Sequence, residues 1–384
     1  MTEPALPPDS AADAEERAAW LRLALAPGIG PATARDLLAN FGLPTQLFAC
    51  GHAAVAARVG DQAARALLAP PDERTARTID ATEAWLASSP QHHLLTLADR
   101  AYPQALLTMT DPPPVLYAVG RVELLTLPGL AIVGSRNASQ QGAQTAEGFA
   151  RRLAQAKLAI ISGLALGIDA AAHRGALQAA AEGAAGSTIA VVGTGIDVIY
   201  PASNRELTLR ILRAGLVLSE FPLGTAALSH NFPRRNRLIA GLSRGVLVVE
   251  AALRSGSLIT ARLAAEQGRE VFAVPGSIHS PMAKGCHRLI KDGAKLVESA
   301  QDVLEELRME TAAAAPTSDA AAAEAGLPVA HAAVLSMLGF DPVDIDTLCT
   351  RTGRTAGDLS AALLELELTQ HVERLSGNRY QRLR

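Results

Sequence analysis

Between His92 and Leu307 the sequence alternates short apolar runs with helix-length segments, and this alternation restricts the possible folds more than any other feature. The apolar runs are HHLLTLA, PVLYAVG, LAIVGS, LAIISG, TIAVVGTG, GLVLSE, GVLVVEA, EVFAVPG and KLVES. Segments such as QQGAQTAEGFARRLAQA and ITARLAAEQG separate most of them. Repeated strand, helix, strand units predict an α/β fold with a doubly wound parallel sheet and right-handed crossovers.

The composition agrees with an α/β fold. Hydrophobic residues make up 49% of the 384-residue chain and aromatic residues only 3%, which favours helices that cover a parallel sheet over an aromatic-rich sandwich. No apolar run is long enough to span a bilayer, so we expect a cytoplasmic protein without membrane insertion. The three cysteines are far apart and form no CxxC motif, which indicates neither a zinc site nor a disulfide framework: Cys50, Cys286 and Cys349.

The length of the chain predicts two or three domains with connecting segments. Residues 1–12 lack periodicity and are expected to be disordered. Residues 13–89 have a helical pattern, and residues 90–310 form the predicted α/β domain. The Ala-rich residues 311–326 are predicted to be a linker. Residues 327–384 have three helical patterns and then two extended runs, the order of a winged helix.

A glycine-rich turn lies inside the N-terminal helical segment, in WLRLALAPGIGPATARDLLANFG. Gly28 and Gly30 suit a tight turn, and Pro31 suits the first turn of a helix that we predict to begin at Ala32. This pattern resembles a helix-hairpin-helix, whose backbone N–H groups can bind a nucleic-acid phosphate. A glycine-rich αα-hairpin is also an ordinary packing device, so both interpretations remain open.

Small residues follow three of the predicted strands at their carboxyl ends, where open parallel sheets bind ligands. They let an anion approach backbone N–H groups, and Arg136 can add charge-assisted hydrogen bonds. The sequence therefore predicts a phosphate-binding rim at these strand ends. Its residues are Gly134, Ser135 and Arg136 in the first loop, Ser162, Gly163 and Gly167 in the second, and Gly193, Thr194 and Gly195 in the third.

Familiar enzyme motifs fit the sequence poorly. The third glycine of a dinucleotide GxGxxG would fall at Val198, and no GxxxxGK[ST] is present. GLSRG, residues 241–245, matches GxSxG but leads into a strand, so we interpret it as a helix-to-strand turn and not a nucleophile elbow.

Three further residues could bind a metal or take part in catalysis, but each also has a local structural explanation. Asp169 and His173 could form part of a metal site, but no third ligand lies at a recognisable spacing, so we expect Asp169 to cap backbone and His173 to pack locally. Glu250 could be a catalytic carboxylate; without a paired acid, we expect it to hydrogen-bond the next loop, residues 255–257. The sequence thus predicts neither a metal nor a catalytic group.

Arg234, Arg235 and Arg237 cluster in NFPRRNRLIAG, directly upstream of GVLVVE. Pro233 is predicted to give an extended entry into a helix, which would put the arginines at the helix start, where an anion also meets the helix dipole. An arginine cluster suits a chain of phosphates because each guanidinium can bind a separate one. A solvated, salt-bridged face is the alternative.

Seven long motifs together resemble the DNA-processing protein DprA (Smf) family. They are YPQALLTMTDPPPVLYAVG, GSRNAS, ISGLALGIDAAAHRGAL, TIAVVGTGIDVIYPASN, LSEFPLG, NFPRRNRLIAGLSRGVLVVEA and SGSLITARLAAEQGREVFAVPGS. They follow one another from about Tyr102 to Leu307. The resemblance implies an extended Rossmann-like domain between an N-terminal helix-hairpin-helix (SAM-like) domain and a C-terminal winged helix.

The resemblance also implies a function. Proteins of this family bind single-stranded DNA without catalysis and without a cofactor, protect incoming strands during natural transformation and recruit the RecA recombinase. They act as homodimers through the Rossmann-like domain, and single-strand binding protein is a further candidate partner.

Site residues follow from matching these motifs. Arg136, Arg234, Arg235 and Arg237 would contact phosphates. Gly134, Ser135, Ser162, Gly163, Thr194 and Gly195 would form the floor of the pocket. Asn236 would orient the loop or contact a base or sugar, and Phe232 would either stack on a base or pack in the core. A site that tracks a nucleic-acid backbone needs donors and small residues, and no general base.

The predicted recognition helix of the winged helix, TAGDLSAALLELELTQ, is acidic and has no Lys or Arg. We therefore expect a protein-contact or dimer-supporting role for this domain, although Arg374, Arg379 and Arg382 leave DNA contact open.

Two other functions compete with DNA binding. A nucleotide hydrolase of the same fold group would typically have a PGGxGTxxE signature, of which this chain has only GTGID and VPGS. The second competing function is that of an adaptor whose arginines bind an acidic protein. Competition by an oligonucleotide would distinguish this adaptor from a DNA-binding protein.

Overall fold

A computed structural model of the protein describes residues 11–309, 328–339, 342–375 and 377–383. Its strands form one sheet of nine strands and a second sheet of three. The strands of the large sheet are β1 His92–Thr96, β2 Val115–Gly120, β3 Gly129–Gly134, β4 Ala159–Ser162, β5 Thr188–Val191, β6 Leu216–Ser219, β7 Gly245–Val249, β8 Glu270–Ala273 and β9 Lys295–Leu296. Those of the small sheet are β10 Val343–Asp344, β11 Val372–Leu375 and β12 Arg379–Arg382.

The large sheet has the order β1-β2-β6-β5-β4-β3-β7-β8-β9. Strands β3 to β9 pair in parallel, which confirms the predicted doubly wound α/β fold. The sheet is antiparallel only toward one edge, where β2 pairs antiparallel with both β1 and β6. Parallel neighbours need a long crossover, usually a helix; the link from β1 to β2 contains only the four-residue helix Gln104–Leu107.

The helices, in chain order, are α1 Ala11–Leu25, α2 Pro31–Phe41, α3 Pro44–Ala49, α4 His52–Val59, α5 Asp61–Leu68, α6 Glu73–Ala87, α7 Gln104–Leu107, α8 Gln140–Gln155, α9 Ile168–Ala181, α10 Arg205–Ala214, α11 Asn231–Leu242, α12 Ser257–Glu266, α13 Lys284–Lys291, α14 Ala300–Glu306, α15 Val329–Leu338, α16 Ile345–Thr352 and α17 Ala356–Leu368. Short 3₁₀ segments lie at Val122–Thr126, Ala202–Asn204 and Pro281–Ala283.

Helices cover both faces of the large sheet, as its sequence pattern predicts. In β3, Leu130 and Ile132 pack toward α8 and α9, whereas Ala131 and Val133 pack on the opposite side, with α11 and α12. Alternate side chains of a strand point to opposite faces, so a strand that is apolar throughout requires a layer of helices on each side.

The N-terminal helices pack on the sheet through α1 and α6. Trp20 and Leu21 of α1 are buried against Val115 and Tyr117 of β2, and the Thr82 and Tyr117 hydroxyls lie 3.2 Å apart. Helix α1 begins at Ala11, within the segment predicted to be disordered; the first ten residues lie outside the described part.

The glycine-rich turn has the predicted form. Gly28 has φ +78°, a conformation that favours glycine. Pro31 is the first residue of α2, one residue before the predicted start. Phosphate binding by this hairpin stays a prediction.

The C-terminal region has the predicted winged-helix order of three helices and a β-hairpin, with its own apolar core. Its β12 strand contacts the large domain: the Gln381 amide donates a hydrogen bond to Oε1 of Gln141, at the start of α8, at a distance of 2.5 Å. The predicted linker, residues 311–326, lies outside the described residues. No helix in the described part of the chain is long and apolar enough to cross a membrane.

Candidate nucleic-acid interface

A pocket, which we call the strand-end pocket, lies beyond the carboxyl ends of β4 and β5 and beside the first turn of α11. Its cavity volume is about 70 Å³. It brings together six residues that the sequence predicts for the site: Arg136, Gly163, Gly193, Thr194, Phe232 and Arg235. The other lining residues are Leu164, Ala165, Leu166, Val192, Tyr200 and Pro201.

Helix α11 begins earlier than the sequence suggests. It starts at Asn231, so Pro233 is its third residue and not an extended entry to it. The first four N–H groups of a helix have no partner within the helix, and a proline there therefore sacrifices no hydrogen bond. The early start moves the three arginines further into the helix and onto different sides of it.

Arg235 is buried behind the pocket, with 5% of its surface exposed. Its Nη1 donates to the carbonyl oxygen of Gly163 at 2.5 Å and also to that of Val191, and its Nε donates to Oδ1 of Asn236 at 3.1 Å. Burial lowers the pKa of Arg235 to about 10, and the nearby Asp169 opposes the shift. The guanidinium stays charged at neutral pH and joins α11 to the ends of β4 and β5.

Arg237 is also engaged in the protein interior. It forms ion pairs with the buried Glu220 and, at 3.5 Å, with Asp111, and its Nη1 donates to the Asp111 carbonyl oxygen at 2.6 Å. Burial raises the pKa of Glu220, and Arg237 and then Arg234 act against that shift. Arg237 therefore balances the negative charge of the buried Glu220 carboxylate.

Arg136 and Arg234 are the two predicted arginines that face solvent. Arg136, in the loop after β3, lies with its guanidinium carbon 6.0 Å from the centre of the Phe232 ring. The Arg234 side chain is 54% exposed, and its nearest carboxylate oxygen, on Glu220, is 3.9 Å away. Arg136 can reach an external anion without leaving a carboxylate partner, and Arg234 can do so while Arg237 keeps its closer ion pair with Glu220.

The remaining small residues serve mainly in packing. A Cβ at Gly163 would lie 2.6 Å from the Arg235 guanidinium, and one at Gly134 would lie 2.0 Å from the Val249 carbonyl oxygen. The Ser162 hydroxyl donates to the Ile132 carbonyl oxygen at 2.7 Å. These residues let the strand ends and α11 come close together.

Ser135, Thr194 and Gly195 also make contacts within the protein. The Ser135 hydroxyl accepts a hydrogen bond from the Asn137 N–H at 3.0 Å, and that of Thr194 donates to the Val198 carbonyl oxygen at 2.9 Å. A Cβ at Gly195 would lie 2.6 Å from the Asp197 carboxylate. Of the three, only Thr194 lines the pocket.

Glu250 has a different partner from the one predicted. Its carboxylate accepts from the backbone N–H of Ser139 at 2.9 Å and from the Ser139 hydroxyl at 2.5 Å, whereas Ser255 and Ser257 hydrogen-bond each other. The prediction is wrong because β7 pairs with β3, which puts Glu250 beside the start of α8. The order of the strands reverses between β3 and β7, and other doubly wound folds bind a nucleotide at such a point. In this chain the Glu250 carboxylate occupies that position.

The local explanations for two other motifs are confirmed. Asp169 accepts from the Gly163 and Ala165 N–H groups at 3.1 and 3.4 Å, and His173 Nδ1 lies 2.6 Å from the Thr188 hydroxyl. No cluster of three or more metal-ligating side chains occurs among the described residues. GLSRG is the predicted helix-to-strand turn, between α11 and β7.

Sequence reasoning missed Tyr200, which lines the pocket and is 45% exposed. Its ring centroid is 5.5 Å from that of Phe232. The only sequence signal is its position in TIAVVGTGIDVIYPASN, after the third glycine loop.

Comparisons with known proteins agree on one family. Residues 93–308 match the family model of DNA recombination-mediator protein A, and residues 318–378 match that of the DprA winged helix domain. Protein Smf of Escherichia coli K12 is 41% identical over 318 residues, covering 80% of this chain and 82% of its own length.

Two solved structures are similar as well. The X-ray structure of Streptococcus pneumoniae DNA processing protein A has a TM-score of 0.64 and 39% identity, and the match covers 77% of this chain and 98% of that one. The DNA processing protein A of Helicobacter pylori, whose structure concerns its single-stranded DNA binding mode, has a TM-score of 0.51 and 32% identity, covering 56% and 96% of the two chains.

Proposed function

The chain belongs to the DprA (Smf) family of DNA-processing proteins, and from this we propose that it binds single-stranded DNA and acts as a recombination mediator. In this proposal it protects incoming strands in natural transformation and loads the RecA recombinase onto them, with single-strand binding protein as a further partner. The binding step is non-catalytic.

One observation supports the proposal most directly. The exposed Arg136 lies over an aromatic pocket at the strand ends, and the exposed Arg234 lies one residue from the buried Arg235 on the adjoining helix. No carboxylate or histidine is among the described residues that line the pocket. A site with cationic donors and an apolar floor suits a phosphate backbone with its bases.

The predicted site residues then divide by role. Arg136 and Arg234 contact phosphates, while Arg235, Asn236 and Arg237 hold α11 in position. Phe232, Gly163 and Thr194 belong to the pocket surface. The packing residues beneath are Gly134, Ser135, Ser162 and Gly195.

Fluorescence anisotropy with labelled oligo-dT and a matched duplex tests the proposal over a salt series. Each phosphate contact to a single strand contributes roughly 0.7 to the slope of log K against log salt, so Arg136→Ala and Arg234→Ala should each weaken binding and lower the slope by about that amount. Arg262→Ala, an exposed arginine of α12 outside the pocket, is the control. If wild type binds no single strand, or both variants match it, the proposal is wrong.

We propose further that the protein is a homodimer through the Rossmann-like domain. Beside the edge strand β9, the exposed apolar side chains Leu253, Ile278 and Leu296 line a broad concavity of about 570 Å³, together with Lys284, His287, Arg288 and Lys291. Several exposed large apolar side chains in one concavity are typical of a protein contact. Light scattering of wild type and of an Ile278→Asp variant should give a dimer and a monomer; a wild-type monomer at micromolar concentration would argue against this step.

The alternative of a nucleotide hydrolase finds no support at the point where strand order reverses. The Glu250 carboxylate accepts hydrogen bonds from Ser139 there, and it would repel a nucleotide phosphate. Incubation with nucleoside monophosphates should release no free base. Clear turnover would favour the hydrolase.

A further inference from the structure

The aromatic surface of the strand-end pocket consists of two rings with different environments. Phe232 is half-buried: a Cβ at Gly193 would lie 3.0 Å from it, and the guanidinium carbons of Arg136 and Arg235 lie 6.0 and 5.9 Å from its ring centre. Protein groups thus already surround much of this ring. Tyr200 is 45% exposed, and its ring contact among the described residues is Phe232, at 5.5 Å.

The loop that presents Tyr200 is fixed on both sides of this residue. Before it, the Asp197 carboxylate accepts from the Gly224 N–H at 2.9 Å. After it, the buried Asn204 amide donates to the Leu164 carbonyl oxygen at 2.9 Å. A large ring that is exposed on a restrained loop loses little conformational entropy when a flat ligand binds it.

We propose that Tyr200 is a stacking surface for a nucleobase of the bound single strand, with Phe232 supporting it from behind. This inference rests on the proposed function and adds the residue that contacts a base. The solvent-facing Leu166 also lines the pocket and extends the apolar surface. Because every base has a π-face, such a contact tolerates any sequence.

The test measures binding of fully base-containing oligo-dT and of the same oligomer with abasic sites, by wild type and Tyr200 variants. Tyr200→Ala should weaken oligo-dT binding by roughly tenfold to a hundredfold, the range for one lost stacking contact. Tyr200→Phe should bind within about twofold of wild type, since it keeps the ring. Tyr200→Leu keeps apolar contact with Phe232 and should bind as weakly as Tyr200→Ala, which separates stacking from packing.

Two further readouts distinguish stacking from loss of structure. On the abasic oligomer, wild type and Tyr200→Ala should bind equally, and the salt slope of Tyr200→Ala should equal that of wild type because no phosphate contact changes. A 2-aminopurine base in the oligomer should be quenched by wild type and not by Tyr200→Leu.

The outcomes separate this inference from the proposed function. If wild type binds oligo-dT and Tyr200→Ala and Tyr200→Leu bind equally well, the stacking role is wrong and the DNA-binding proposal stands. If those variants lose affinity equally on the abasic oligomer, Tyr200 is structural and the inference is also wrong. If wild type binds no single strand, both proposals fail.

Discussion

Arg235 and Asp169 hydrogen-bond the two backbone polar groups of one residue, Gly163. The Arg235 guanidinium donates to its carbonyl oxygen at 2.5 Å, and the Asp169 carboxylate accepts from its N–H at 3.1 Å. Burial lowers the pKa of the arginine and raises that of the aspartate, and each charge opposes the shift of the other. The turn after β4 is therefore fixed by an internal pair of opposite charges.

The first prediction concerns the arginines. Arg235→Ala should lower the free energy of unfolding by about 3–5 kcal/mol, because it leaves two buried carbonyl oxygens without their donor and removes the positive charge near the buried Asp169 carboxylate. Arg136→Ala should change it by no more than about 0.5 kcal/mol, and Arg234→Ala, which removes a 3.9 Å ion pair with Glu220, by no more than about 1 kcal/mol, while both weaken DNA binding. Urea unfolding beside anisotropy measures both effects. An Arg235→Ala protein of wild-type stability that had lost DNA binding would show that Arg235 itself contacts DNA.

Two glycine substitutions should have opposite effects on stability. In Gly163→Ala the new methyl group would meet the Arg235 guanidinium at 2.6–2.7 Å, and we expect a loss of roughly 1–3 kcal/mol through displacement of that side chain. Gly148→Ala, at an exposed position of α8 with no atom near the new methyl group, should stabilise by about 0.5–1 kcal/mol. Thermal unfolding compares the two. Equal effects would contradict the close packing of Arg235 on Gly163.

His173 should make stability depend on pH. Burial lowers the pKa of His173 to about 3, from about 6.5 in the unfolded chain. Below pH 6.5 the unfolded state therefore binds more protons, so stability is fully present above that pH and is lost as the pH falls toward 3. Between pH 6.5 and 5 the loss is about 2 kcal/mol, at 1.36 kcal/mol per unit.

The comparison that isolates His173 is urea unfolding at pH 7.5 and pH 5 for wild type, His173→Gln and His279→Gln. We expect His173→Gln to lose about 2 kcal/mol less than wild type over this range. The exposed His279 is the control and should leave the wild-type dependence unchanged. Equal losses in all three proteins would mean that His173 titrates normally.

Removal of residues 311–384 should leave affinity for single-stranded DNA within about tenfold of wild type, or 1.4 kcal/mol. The winged helix has a core of its own, and α17 exposes the acidic side chains of Asp358, Glu365 and Glu367. Anisotropy with oligo-dT compares the truncated and full chains. A larger loss of affinity would assign DNA contact to the winged helix.

The layers of the fold, a sheet covered by helices on both faces, could be predicted from the sequence because the hydrophobic periodicity of strands and helices is a local property. It could not distinguish the arginines of α11. Successive helical residues are rotated by about 100°, so which arginine points inward depends on where the helix begins, and the expected start after Pro233 was wrong. The partner of Glu250 was missed because it depends on the pairing of β3 with β7, which are more than 100 residues apart in the chain. Tyr200 was missed because exposure follows only from the packed structure.

The carboxylate of Glu250 at the start of α8 has a thermodynamic consequence. A fold that leaves this position open is stabilised by whatever anion fills it, and its melting temperature then rises with the concentration of that anion. Here the anion is covalently part of the chain, so its local concentration never changes. The contribution of this contact to the stability of the native state therefore does not depend on a free anion at the start of α8.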